Sequence, residues 1–284
     1  MRRDRSFLED VPFADEGYGE IVQTDYPGAH DQEYRDRVDT LVDSSEAAWP
    51  EIPEYDYREE EHETWRLTSD VLKPLQDRFS CEAFLEGREK LDLPDDRVPQ
   101  LDEVSAEMEN ATGFMLAPVG GLLDQSEFLP MLAKKVMRCT PYVRHWDYPF
   151  FTPEPDIIHE LRGHAPMFMH EPFVELSVGI GEAAAAAVEA GDEDLLELIG
   201  LFYWYTVEFG LIREEGEVKV FGAGNNGGIQ DLLRSVDPTV EKKPLRIETI
   251  EQLTIDYDEP QQVFFVADSY EQVTSLAEDL MARA

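Results

Sequence analysis

The chain has 284 residues, 42% of them apolar, so it is long enough to bury a sizeable core. Asp and Glu outnumber Lys and Arg by 62 to 24, giving a formal net charge of −38 at pH 7. This charge argues against a nucleic acid partner, because phosphates carry the same sign. The absence of an apolar run of about 18 residues argues against a membrane span. The N-terminus lacks the apolar run of a signal peptide, and Cys81 and Cys139 suggest no disulfide framework, so we expect a cytoplasmic protein.

The charge surplus also indicates a salt-rich cytoplasm. Like charges oppose a compact fold in dilute buffer, whereas molar salt shortens the Debye length to about 3 Å and screens the repulsion. The alternative is an ordinary acidic cytosolic protein.

The first half of the chain suggests an arm followed by helices. Residues 1–30 show no sustained period, so we expect an extended N-terminal arm and a single domain over residues 31–284. Helices are expected over 32–49 and from about residue 58 to 76. A helix capped by Asp102 or Ser105 should end near Gly113, and another should run from Ser126 to Lys135.

In the second half, an apolar helix is expected from about Asp194 to Leu211. EEGEVKVFGAG indicates a hairpin, and VFFVADS a short strand before a terminal helix. The expected fold class is therefore mainly α with minor β.

The stretch HELRGH places two histidines five residues apart, His159 and His164. Five residues of α-helix turn through about 500°, which leaves the two side chains about 140° apart. Gly163 suits a left-handed C-terminal cap and Pro166 cannot continue a helix, so we expect the helix to stop at about Arg162. His164 could then fold back beside His159 and share a metal with it.

A third candidate ligand is Glu208 in the apolar run LFYWYTVEFGL. A buried carboxylate costs several kcal/mol unless it is paired or bound to a cation. A metal would satisfy it, and so would an arginine such as Arg144. Two imidazoles and one carboxylate suit ferrous iron that binds dioxygen. A zinc hydrolase with Glu160 as the base could use the same ligand types.

The sequence resembles the tetrahydropterin-dependent aromatic amino acid hydroxylases over most of its length. The matching stretches are VPQLDEVS, TGFMLAPVGGLL, RCTPYVRH, FTPEPDIIHELRGHAPMF, YWYTVEFGL and VFGAG. The resemblance implies one catalytic domain over residues 31–284, with helices around an iron site and a small hairpin or sheet. It implies Fe(II) held by His159, His164 and Glu208. The length suggests the catalytic domain alone, as in the prokaryotic phenylalanine hydroxylases, and a monomer.

The resemblance also implies a cofactor site and a substrate site. The residues implied for a reduced pterin are Gly121, Leu122, Leu123, Phe128, which would stack on its ring, and Glu160. The residues implied for the amino acid are Arg144, which would bind its carboxylate, Thr152, Pro155, Trp204 and Gly224. The implied reaction is hydroxylation of L-phenylalanine to L-tyrosine with dioxygen. Alternatives are hydroxylation of tryptophan or tyrosine, or of phenylalanine at another ring position, and a catalytically silent binding protein.

Four residues depart from the family pattern. Arg162 replaces an apolar residue between the two histidines, and Arg138 replaces a histidine common in many members. Gly227 stands where a serine commonly follows GAGLL, and Phe151 replaces a frequent tyrosine beside the substrate segment. Changes close to metal ligands can alter metal affinity or substrate preference.

The charge surplus leads to a testable prediction. We expect the stability of the folded chain to rise from dilute buffer to molar KCl, because salt screens the repulsion among surface carboxylates. Thermal unfolding followed by circular dichroism across this range measures the effect. An unfolding temperature independent of salt would show that the charge surplus is no adaptation to salt.

Overall fold

The computed structural model describes residues 3–14, 26–255 and 260–283, and helix predominates over strand in these ranges, as the sequence predicted. The α-helices are α1 (Pro27–His30), α2 (Gln32–Ala48), α3 (Glu59–Phe79), α4 (Glu82–Leu91), α5 (Leu101–Thr112), α6 (Gln125–Ala133), α7 (Glu171–Ala190), α8 (Glu193–Tyr203), α9 (Ala223–Gly227), α10 (Ile229–Val236), α11 (Ile247–Ile250) and α12 (Tyr270–Met281). The strands are β1 (Met115–Pro118), β2 (Val136–Cys139), β3 (Leu211–Glu214), β4 (Glu217–Val220), β5 (Glu241–Pro244) and β6 (Val263–Ala267). Single π-helical turns occupy His159–His164 and Trp204–Glu208, and 3-10 turns occupy Ser6–Leu8 and Met167–Met169.

Local sequence accounts for several helix ends. The Asp31 carboxylate accepts hydrogen bonds from the backbone N–H groups of Glu33 and Tyr34 and so caps α2. Gly113 and Gly191 terminate α5 and α7 with φ of 79° and 67°, in the left-handed region that favours glycine.

The predicted N-terminal cap of α5 is wrong. This helix begins at Leu101, so both Asp102 and Ser105 lie inside it. The Ser105 hydroxyl instead accepts hydrogen bonds from the Leu116 N–H at 3.0 Å and from the Arg5 guanidinium at 3.2 Å. Ser105, a residue type that often caps helices, instead connects α5 to β1 and to the arm.

Two small sheets position the segments that follow them. β1 and β2 are parallel and pair Pro118 with Cys139, so the chain leaves both strands at the same edge. The predicted pterin segment and the segment carrying Arg144 therefore start side by side. The second sheet has the order β4-β3-β6-β5. Its β3–β4 hairpin and the β6 strand before α12 confirm the predicted elements.

Helix α7 crosses the core and packs on α6 and α12. The sequence did not delimit it, because the run of five alanines has no strong apolar period. Gly181 lets α7 approach α6 closely, since a Cβ there would lie 2.1 Å from the backbone nitrogen of Ala133. Cys81 and Cys139 are both buried and free, in line with the absence of a disulfide framework.

The described part of the predicted arm contacts the domain. Arg5 is 7% exposed and donates a hydrogen bond to the Leu116 carbonyl of β1 at 3.0 Å. The Gly120 N–H donates to the Ala14 carbonyl at 3.0 Å, so the arm contacts the predicted pterin segment. Residues 1–2 and 15–25 of the arm lie outside the described residues, and the division at residue 30 stays a prediction.

We predict that Gly181→Ala destabilises the fold by about 1–3 kcal/mol, because the added methyl group would overlap the α6 backbone. Gly179→Ala in the same helix is the matched control. Its methyl group would meet Met281 Sδ at an ordinary 3.7 Å, and alanine favours helix more than glycine does. Urea unfolding should therefore separate the two variants, and equal stabilities would contradict the prediction.

Candidate metal centre

The predicted end of the HELRGH helix at Arg162 is wrong. Residues His159–His164 form a π turn, in which the Ala165 N–H bonds to the Glu160 carbonyl five residues earlier at 3.0 Å. This wider turn brings residues five apart onto one side of the helix. The His159 and His164 Nε2 atoms lie 3.1 Å from each other, so the two imidazoles do meet, by a different geometry.

Gly163 is not a left-handed cap, because its φ is not positive. It is needed for close packing against α9, since a Cβ there would lie 2.6 Å from the Ala223 carbonyl oxygen. On the other side of the contact, a Cβ at Gly227 would lie 2.9 Å from His159 Cα. The two glycines allow α9 to pack directly on the backbone of the histidine turn.

Glu208 lies at the end of the second π turn, which continues α8 and replaces the predicted regular helix to Leu211. The Phe209 N–H bonds to the Trp204 carbonyl five residues earlier at 2.9 Å. One carboxylate oxygen of Glu208 lies 3.0 Å from His164 Nε2, and the other lies 3.6 Å from His159 Nε2. The alternative of an Arg144 partner for Glu208 is wrong, because Arg144 pairs with Asp156.

The three candidate ligands are spaced for one metal ion. Ligand atoms about 2.1 Å from a metal, at neighbouring octahedral positions, lie about 3 Å apart. The two Nε2 atoms are 3.1 Å apart, and the two carboxylate oxygens of Glu208 lie 3.0 Å and 3.6 Å from one imidazole each, which is close to this spacing. Two histidines and a carboxylate are also a donor set that suits iron or zinc.

The protonation states of the candidate ligands favour the binding of a cation. Burial lowers the pKa of His159 to about 4, so its imidazole is neutral at pH 7 and has a lone pair to donate. Burial alone would raise the pKa of Glu208, but the charge and hydrogen bond of His164, with His159 and Tyr203, lower it to about 2. Glu208 therefore brings a negative charge to the site.

Glu160 is a second carboxylate beside the histidines. Ligand atoms of His159, Glu160 and His164 all lie within 4.8 Å of one another, so Glu160 is a possible alternative ligand. Burial and the charge of Glu208 raise the pKa of Glu160 well above its ordinary value, and the neutral acid is a poor ligand. Glu208, ionised and close to both imidazoles, is the better third ligand.

Arg144 is joined to the histidine turn through Asp156. The Asp156 carboxylate accepts hydrogen bonds from the Arg144 Nε at 2.9 Å and Nη2 at 2.7 Å, and from the His159 N–H at 3.0 Å. Arg144 and Asp156 are 2% and 0% exposed. Sequence reasoning missed Asp156, although an acidic residue three positions before the first histidine was a possible signal.

The remaining residues predicted to surround the substrate form two groups. Trp204 and Gly224 both lie beside Phe209, whose ring centroid is 4.6 Å from that of Trp204 and whose Cζ would be 2.9 Å from a Cβ at Gly224. Thr152 and Pro155 lie in the segment before the histidine turn, where the Thr152 hydroxyl donates to the Glu154 carbonyl at 2.7 Å. The sequence did not single out Phe209.

The predicted pterin residues lie on the segment after β1 and on α6. Gly121 is buried, with no atom within 4 Å of where its Cβ would be, and Leu122 and Leu123 are half-buried. The Phe128 ring meets the Tyr203 ring edge to face at 5.4 Å, and the Tyr203 hydroxyl is one of the groups that lower the pKa of Glu208. This group therefore reaches the candidate metal ligands through Tyr203.

The fold and site define a mainly helical domain with a candidate two-histidine, one-carboxylate metal centre. The family model for biopterin-dependent aromatic amino acid hydroxylases matches residues 13–282, and the chain belongs to this family. It is 36% identical over 275 residues to phenylalanine 4-monooxygenase, chloroplastic, of Pinus taeda, covering 94% of this chain and 75% of the relative. It is 37% identical over 256 residues to tyrosine 3-monooxygenase of Rattus norvegicus, covering 88% of this chain and 50% of the relative.

A solved structure of Chromobacterium violaceum phenylalanine hydroxylase, with bound iron(III) and 7,8-dihydrobiopterin, has the same fold. Its TM-score is 0.74 at 28% identity, covering 80% of this chain and 83% of that one. The chain thus spans three quarters of the pine relative and half of the rat relative. Across the part of the chain that the structure describes, no helix combines the length and apolarity needed to cross a bilayer.

Metal titration of two variants can show whether Glu208 or Glu160 is the third ligand. We predict that Glu208→Gln raises the dissociation constant for Co(II), a spectroscopic substitute for Fe(II), by about 100-fold or more, because an anionic ligand is lost. Glu160→Gln should leave it nearly unchanged, since the amide resembles the neutral acid. Titration of the two metal-free variants, followed by visible absorption, measures both constants. The reverse order would make Glu160 the ligand.

Proposed function

We propose that this chain is an iron(II)- and tetrahydropterin-dependent monooxygenase that converts L-phenylalanine to L-tyrosine with dioxygen, acting as a monomer. The observation that carries the proposal is the convergence of His159, His164 and Glu208 from two π turns, with 3.0–3.6 Å between their ligand atoms. The iron and dihydrobiopterin bound in the Chromobacterium violaceum structure support the choice of both cofactors.

When bound, iron and the reduced pterin would supply the reductive activation of dioxygen, and the protein holds and orients the reactants. His159, His164 and Glu208 would occupy one side of the metal and leave the other side open. Gly121, Leu122, Leu123 and Phe128 would bind the pterin, with Phe128 stacking on its ring. Glu160 would lie near the pterin and dioxygen, and burial together with the charge of Glu208 raises its pKa and so favours the protonated form, which can donate a hydrogen bond.

Arg144 would bind the carboxylate of the amino acid. Its Nε and Nη2 bond to Asp156, so the guanidinium is fixed before the substrate arrives. Among the described residues, Nη1 makes no hydrogen bond and is the donor left for a ligand. Asp156 also bonds to the His159 N–H, which ties the amino acid position to the metal centre.

The side chains proposed to surround the aromatic ring favour an apolar ring. The Trp204 indole N–H donates to Gln261 Oε1 at 3.0 Å, and the Thr152 hydroxyl donates to the Glu154 carbonyl. A site that binds a phenolic hydroxyl would present polar groups to hydrogen-bond with that hydroxyl. This supports phenylalanine over tyrosine. Tyrosine remains the second candidate because the rat tyrosine 3-monooxygenase is as similar as the phenylalanine enzymes.

The zinc hydrolase alternative is less well supported. It needs Glu160 as an ionised general base, whereas burial and the charge of Glu208 raise the pKa of this carboxyl and so disfavour its ionised form. Family membership also points to pterin chemistry.

We predict that the iron-loaded chain, given dioxygen and tetrahydropterin, turns over phenylalanine faster than tyrosine or tryptophan and forms para-tyrosine. Chromatography against ortho-, meta- and para-tyrosine standards identifies the product, and reactions lacking Fe(II) or dioxygen are the controls. Tryptophan or tyrosine turnover well above that of phenylalanine would overturn the substrate assignment. Iron-loaded protein inert with all three would overturn the enzymatic assignment.

A further inference from the structure

Arg162 lies between the two candidate histidine ligands in one π turn, yet its side chain is only 2% exposed. Its Nη2 donates hydrogen bonds to the Pro94 carbonyl at 2.9 Å and to Asp95 Oδ1 at 3.0 Å. The guanidinium carbon lies 4.5 Å from the centre of the Trp65 ring, whose indole N–H bonds to the same Pro94 carbonyl at 2.8 Å. The side chain thus ties the histidine turn to α3 and to the segment between α4 and α5.

The backbone of the turn is held from the same side by Gln76, which is fully buried. Its Nε2 donates to the Arg162 carbonyl at 3.3 Å and to the Asn226 carbonyl at 2.8 Å. Its Oε1 accepts a hydrogen bond from Arg88 at 3.1 Å, which fixes the amide orientation. Asn226 precedes Gly227, which packs on His159, so Gln76 joins the histidine turn to the helix packed against it.

Burying a guanidinium is costly, and its Nε has no hydrogen-bond partner within the described structure. A buried ion pair is commonly no more stabilising than well-packed apolar side chains, so stability alone is a weak reason for an arginine here. Its hydrogen bonds and ring contact are directional, whereas an apolar side chain would leave the turn free to rotate slightly. Direction matters most where two imidazoles must point at one ion.

We propose that Arg162 is a positioning residue for the metal centre, which anchors the π turn to Pro94, Asp95 and Trp65 and so sets the relative placement of the His159 and His164 imidazoles. This inference rests on the ligand set proposed above.

The test uses the full chain, stripped of metal, with three variants and a control. Arg162→Met removes the anchor, Arg162→Lys keeps the charge but cannot lie flat on Trp65, and Asp95→Asn removes the charge of the half-exposed partner. Arg66→Met is the control, because Arg66 is on α3 like Trp65 but is 41% exposed, and its ion pairs among the described residues are with the surface carboxylates of Glu63 and Asp70. Each protein is titrated with Co(II) by visible absorption, and its Fe(II) affinity is measured by competition with a chelator.

Arg162→Met should raise the dissociation constants of both metals by about 10- to 100-fold and change the Co(II) absorption bands, because the imidazoles lose their fixed placement. Arg162→Lys and Asp95→Asn should give smaller changes in the same direction, and Arg66→Met should match the parent chain. Circular dichroism and thermal unfolding of the metal-free proteins report on folding.

A folded Arg162→Met protein with the parent affinity and Co(II) spectrum would overturn the proposal. So would a variant that is less stable but whose folded form keeps that spectrum, since the role would then be structural only. If Arg162→Met does not fold, Arg162→Lys and Asp95→Asn decide, and parent-like Co(II) binding in both overturns the proposal. A parent chain that binds no stoichiometric Co(II) would instead overturn the proposed function.

Discussion

One hydrogen-bond pattern places the candidate ligands: in each π turn the N–H of residue i+5 bonds to the carbonyl of residue i. In a regular α-helix His159 and His164 would point in directions about 140° apart, whereas the π turn brings them together. A second π turn places Glu208 beside them. Such turns are rare within α-helices, so the surrounding packing must hold them in place. Gly163 and Gly227 allow that packing by letting the backbones of α9 and the histidine turn touch.

Buried acidic and basic side chains are nearly equal in number, whereas acidic residues far outnumber basic ones in the whole chain. Among the described residues, the buried acidic side chains are Glu61, Glu154, Asp156 and Glu160, and the buried arginines are Arg5, Arg37, Arg138, Arg144 and Arg162. Two of these arginines pair with members of the buried acidic set, Arg37 with Glu61 and Arg144 with Asp156, and Arg162 pairs with the half-exposed Asp95. The surplus behind the net charge of −38 therefore lies mostly among exposed side chains, where water and salt screen it.

The sequence predicted features that depend on neighbouring residues better than those that depend on distant ones. The end of α5 at Gly113 and the β3–β4 hairpin followed from local patterns, and the candidate ligands were proposed from residue type, spacing and burial. The role of Gly163 could not be predicted, because its carbonyl neighbour is on Ala223, in another helix. The role of Arg162 was hidden for the same reason, since Asp95 is 67 residues away along the chain.

Two of the departures from the family pattern belong to one connected structure behind the metal centre. Arg162 offers its carbonyl to Gln76, and the same Gln76 amide binds the carbonyl of Asn226, the residue before Gly227. The Asn226 side chain also accepts a hydrogen bond from Ser80, the residue after α3, so α3 and its C-terminal end bind both the histidine turn and α9 through polar contacts. A serine at position 227 would bring its Cβ within 2.9 Å of His159 Cα and push α9 away from these contacts. The bridge that Gln76 makes between the Arg162 and Asn226 carbonyls therefore depends on glycine at position 227, which permits the close approach of α9.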